Sequence, residues 1–238
     1  MKKEIEEILE TIDILKYISQ RAKKEIKHFA IYMIIFGFYI STCVFITLIT
    51  EKYILWFYLL PLAFFFSTIH VSGIIFSILI WGIFSIIYFF IIPKLGIPLY
   101  ISAIFIGILV TFGYYMNYYI GIKRKTYKPL NSKLSVIPKI GIFWGFAFAG
   151  IIFNIFLFYN VLGEDINKIV NPLYSYTTGM GLFVTGFVLP FFYILGIIEV
   201  IFIPLLNYIN NALAYITHGI VGLLMAFYSI YLLKKKEE

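Results

Sequence analysis

Glu199 is the one acidic residue in an otherwise apolar run from Ile169 to Leu233. A carboxylate at the centre of a bilayer costs about 2.5–3.5 kcal/mol on insertion scales, so an acid kept there is a candidate for function with a partner to be found. Imidazole is the obvious partner type, because it exchanges protons near neutral pH and can ligate metals. The chain has three histidines, His28, His70 and His218. Glu199, His218 and His70 form the candidate intramembrane ionisable site, suited to a proton or a cation. The competing reading places Glu199 near the interface, where it reaches headgroups or caps a turn at 204–211.

Helical spacing says how these residues are presented. Gly181, Thr185, Val188, Phe192, Gly196 and Glu199 fall on one face if 176–201 is a single helix. His218 sits in the series Ala214, His218, Gly222 and Ala226, a stripe of small residues that lets a neighbouring helix approach closely. Gly141 and Gly145 make a GxxxG on another segment, and Gly37 with Ser41 repeats the spacing. Packing is the expected role of most of these.

The elements that carry them must be membrane helices. The chain has 238 residues, 62% hydrophobic and 13% charged, against roughly 45–50% and about 25% in soluble domains. A membrane helix takes about 20 apolar residues, and the uncharged runs 29–50, 53–93, 95–122 and 169–233 supply several. Stretches such as Ile74–Phe84 are apolar on nearly every side, without the alternation of a barrel strand. The fold class is therefore an all-α, polytopic integral membrane bundle of about seven transmembrane helices (six to eight), preceded by an amphipathic N-terminal helix.

The expected organisation is an interfacial or cytoplasmic helix over 1–28, four spans within 29–121, a basic loop over 122–139, three spans within 140–233 and a charged tail, 234–238. Inside these, residues 53–70, 73–92 and 99–121 read as spans two to four, with a turn in the polar patch Ser67, Thr68, His70, Ser72 and Gly73. Residues 140–162 read as span five, 176–201 as span six with a kink at Pro190, and 212–233 as span seven. The charged start is too long and too acidic for a signal peptide.

Lysine and arginine set orientation. The N-terminal segment and the 123–139 loop are rich in them, while the loops near Lys52, Lys94 and Lys168 hold one each. Four intervening spans put both basic regions on one side, expected to be the cytoplasmic side of a cell membrane. Seven spans place Lys234, Lys235 and Lys236 on the opposite side; eight spans, or a re-entrant segment in 173–211, bring them back. In the seven-span arrangement the three histidines and Glu199 gather toward one side.

The net charge of +7 lies beside membrane segments and no nucleic-acid motif accompanies it, so the expected partners are the lipid bilayer and proteins docked on the N-terminal helix or small-residue faces, with no nucleic acid. Cys43 is the only cysteine, so no intramolecular disulfide forms. No GxxxxGK[ST], GxSxG, GxGD or HExxH occurs, and no cofactor, metal site or catalytic residue is assigned. The expected function is a non-catalytic membrane component: scaffold, assembly or partner-binding subunit. The alternative is a transporter, channel or permease subunit using Glu199 and His218, and the third reading is a membrane enzyme or haem protein.

Overall fold

The computed structural model describes residues 2–50, 54–94, 99–125, 143–144, 147, 150–151, 167–187 and 189–235. All regular structure among them is helical, as the apolar runs require. Among the described residues, four helices are long and apolar enough to cross a membrane: Ile26–Thr50, Ile74–Ile91, Phe191–Ile209 and Asn211–Lys234. The chain is a helical membrane protein.

The first helix, α1, runs unbroken over Lys2–Thr50. No proline or glycine occurs before Gly37, so nothing in the backbone interrupts it at residue 28, where the sequence suggests a division. The stretch before Ile26 continues the membrane helix outward for about 36 Å at 1.5 Å per residue.

Helix α2 spans Ile54–Ser72, and α3 spans Ile74–Ile91, its last turn, Ile87–Ile91, wound as a π-helix. A short turn, Ile92–Lys94, follows, and α4 spans Leu99–Lys123. The α2–α3 reversal takes a single residue. Gly73 has φ 86°, the left-handed region that a Cβ disfavours, and an added Cβ would lie 2.8 Å from Arg124 Nη1. The polar patch read as a turn is therefore mostly helix: Ser67, Thr68 and Ser72 are buried within α2.

Their burial is matched by hydrogen bonds. Ser72 donates to Asn117 Oδ1 of α4 at 2.5 Å, and Ser77 of α3 to the same oxygen at 3.3 Å. Trp81 Nε1 donates to Thr68 Oγ1 at 2.7 Å, and Arg124 reaches the Ser72 carbonyl at 2.8 Å. With no water in hydrocarbon, such bonds join α2, α3 and α4 through groups that would otherwise be unsatisfied.

Beyond residue 167 the structure departs from the two-span division. Three helices occur: α5 (Asn167–Gly186), α6 (Phe191–Ile209) and α7 (Asn211–Lys234). Helices α5 and α6 are antiparallel: Gly186 lies against Tyr193, Gly179 against Gly196 and Ser175 against Glu199. Pro190 therefore does not kink one long span. It caps the start of α6 after a reversal at 187–190, where its missing N–H removes no helix bond. Asn210, whose side chain accepts from the amides of Ala212 and Leu213, starts α7 after a second sharp reversal.

Helix α7 returns along α1. A Cβ on Gly37 would lie 2.5 Å from the Gly222 carbonyl and 2.9 Å from the Ala226 nitrogen. Ser41 Oγ is 2.8 Å from the Gly219 carbonyl, and Gly219 faces Val44 and Phe45. Rising numbers on one helix meet falling numbers on the other, so the two are antiparallel. The C-terminal end of α7 thus lies at the end of the bundle where α1 enters. His28 stacks on His70 there, and Arg124 meets Ser72. Lys234 and Lys235 therefore share an end with Lys27 and the Lys123–Lys125 turn.

The core is built around α1, whose Ala30, Cys43 and Val44 are fully buried. The outer surface is apolar. On α3 alone Ile74, Ile75, Ile78, Leu79, Ile83 and Ile86 are exposed, an apolar face suited to contact with lipid.

Candidate functional site

The site grows from a local irregularity in α6. Residues Ile198–Phe202 form a π turn, and the Ile203 amide donates five residues back, to the Ile198 carbonyl. In an α register that amide would serve Glu199. The next nitrogen along belongs to Pro204 and has no hydrogen. The Glu199 carbonyl is thus passed over by the donors of its own helix, and Ser175 of α5 fills the place: its Oγ lies 2.5 Å from that carbonyl. Such π turns recur at functional positions.

The Glu199 side chain is completely buried, and it is the ninth residue of nineteen in α6. That is the middle of the helix, eleven residues before Asn210. Its carboxylate is held from two sides. His218 Nδ1 lies 2.7 Å from Oε1 and 2.8 Å from Oε2. Ser175 Oγ lies 2.8 Å from Oε2. The ring of Tyr174 meets the His218 ring edge to face, with centroids 5.8 Å apart.

Small residues permit this approach. A Cβ on Gly179 would lie 2.7 Å from the Glu199 Cβ and 2.9 Å from the Gly196 carbonyl, so α5 and α6 touch through backbone at the level of the carboxylate. On α7, Ala214 and Gly222 lie one turn to either side of His218. Both are buried, as is Ala226. Gly222 and Ala226 face Gly37 of α1. The glycine contact between α1 and α7 therefore fixes the helix from which His218 reaches Glu199.

The structure brings Glu199 and His218 together and leaves His70 elsewhere. His70 stacks on His28, with centroids 4.9 Å apart and planes 19° from parallel. His218 adjoins Gly219, which faces Val44 and Phe45, sixteen or seventeen residues along α1 from His28, or about 25 Å. The gathering of all three histidines with Glu199 on one side does not occur. The physical reason is the 187–190 reversal, which turns α6 over relative to a single kinked span. The same reversal divides the face Gly181–Glu199 between two helices. Gly181 and Thr185 belong to α5, and Phe192, Gly196 and Glu199 to α6.

Gly141 and Gly145 lie outside the described residues, as does most of the 140–162 segment. Among the described residues, no group of three or more His, Cys, Asp or Glu side chains is placed to hold a metal ion. Sequence reasoning missed Ser175, which it put ahead of span six. The available signal is that Ser175, Thr178, Gly179, Leu182 and Thr185 share one helical face when the helix begins near 167; all are buried.

A buried carboxylate facing an imidazole can hold a proton on either partner and pass it between Oε and Nδ1 without moving a heavy atom. It can also change its total charge by gaining or losing a proton, at a depth where charge is costly. Comparison with known proteins adds no relative: no protein-family model, no curated protein and no solved structure matches the chain.

Proposed function

We propose that this membrane protein is a proton-linked transport or permease component in which the Glu199–His218 pair takes up and releases the proton. One observation carries the reading: a carboxylate and an imidazole meet at 2.7 Å in the middle of a membrane helix, both buried. A bundle that only needed packing would fill these positions with apolar side chains at lower cost. Ser175 and the π turn surround the pair with the alternative hydrogen bonds that a change of proton count requires. The shared end of Lys27, Arg124 and Lys234 supports a cytoplasmic placement of that end.

The test uses protein reconstituted into vesicles with a pH-sensitive dye inside and an imposed proton gradient. Wild type is expected to dissipate the gradient faster than protein-free vesicles, and Glu199→Gln to fall to the protein-free rate while still inserting and purifying normally. Equal rates in wild type and Glu199→Gln would contradict the reading. They would return the chain to the scaffold class, with the outward arm of α1 as the surface that docks a partner.

A further inference from the structure

Ser175 has one hydroxyl proton and two oxygens of the same residue within reach: the Glu199 carbonyl at 2.5 Å and the Glu199 carboxylate Oε2 at 2.8 Å. One proton serves one of them well at any moment. The carbonyl depends on Ser175, because the Ile203 amide is committed to Ile198 and Pro204 carries no N–H. A buried carbonyl without a donor costs about 1–3 kcal/mol. The carboxylate has an alternative, since His218 Nδ1 reaches both of its oxygens.

We propose that Ser175 is a positioning residue that couples the proton count of the Glu199–His218 pair to the backbone of the α6 π turn. With Glu199 ionised, the Ser175 hydroxyl donates to Oε2 and the Glu199 carbonyl is left short of a donor. When a proton from the aqueous phase adds to Oε2, the new Oε2–H donates to Ser175 Oγ, and the Ser175 hydroxyl turns to the carbonyl. One O–H bond forms, no heavy-atom bond breaks, and the charge of the pair rises by one. The π turn then has two hydrogen-bond arrangements selected by one proton, at the contact between α5 and α6. The other titratable groups around the pair are Tyr174 of α5, whose ring lies edge to face with His218, Tyr215 of α7, and Tyr39 and Cys43 of α1. This inference rests on the proton-handling reading above.

Infrared difference spectra of the full chain in lipid, taken across a pH jump with glutamate labelled at the backbone carbonyl by carbon-13, test it. Wild type is expected to show a carboxyl band that Glu199→Gln removes, accompanied by a shift of the labelled amide band. Ser175→Ala should keep the carboxyl change and lose the amide shift. Pro204→Ala, which supplies the missing backbone N–H, should also lose the amide shift while Ser175 remains. The second variant decides the matter if the first does not fold. An unchanged amide shift in the folded variants overturns the coupling and leaves the proton reading intact. Absence of any Glu199-dependent carboxyl band overturns both.

Discussion

Replacing either partner of the central pair is expected to destabilise the protein more than replacing both. Glu199→Leu leaves His218 Nδ1 facing hydrocarbon, and His218→Leu leaves the carboxylate with only Ser175. Breaking a buried ion pair from one side costs about 3–5 kcal/mol, whereas apolar replacement of the whole pair is often neutral or stabilising. The double variant Glu199→Leu/His218→Leu should therefore recover most of the loss, with a coupling of several kcal/mol between the two sites. Denaturant unfolding in micelles measures it. Additive single effects would mean that the 2.7 Å contact carries no energetic weight.

The second large effect is expected at the crossing of α1 and α7. A Cβ on Gly222 would lie 2.6 Å from Ser41 Oγ and 2.8 Å from the Gly37 carbonyl. The second contact is backbone and cannot rotate away. Gly222→Val should push the helices apart, at the cost of about 1–3 kcal/mol typical of overpacking. Because His218 lies one turn from Gly222, the same substitution should loosen the Glu199 contact and lower proton flux. Gly82 is the internal comparison: nothing lies within 4 Å of its added Cβ, so Gly82→Ala should leave both stability and flux near wild type. Equal effects at Gly82 and Gly222 would remove the crossing from the account.

What the sequence reveals and what it hides follows from the range of the interactions. Apolar runs of membrane length are local, so the membrane segment of α1 and helices α2 to α4 could be read to within a few residues, and Gly73 could be recognised as part of a turn. The period of the Ala214, His218, Gly222 and Ala226 series is also local, and all four residues are buried. The meaning of Pro190 is not local. The run Leu182–Ile203 is apolar enough to be one long helix with a kink or two helices meeting at a turn. The outcome depends on Gly179 and Gly196 finding each other across the reversal.

Ser175 illustrates the same point from the side of the site. A serine beside tyrosines near an expected helix start carries no distinctive signal in one dimension. Its importance comes from the carbonyl left open by the Ile203–Ile198 bond and Pro204, which only the folded hairpin presents to it. His70 shows the converse. It is of the right type, but the topology carries it to His28 and away from the acid.

In the proposed function His218 and Glu199 share a proton inside the membrane. Nitrogen-15 spectra of the His218 ring in lipid bilayers, recorded across the pH range in which imidazole titrates, test it most directly. A His218 Nδ1 resonance that shifts when Glu199 gains its proton, and that loses this shift in Glu199→Gln, is the expected result. A His218 Nδ1 resonance that behaves identically in wild type and Glu199→Gln across that range would contradict it.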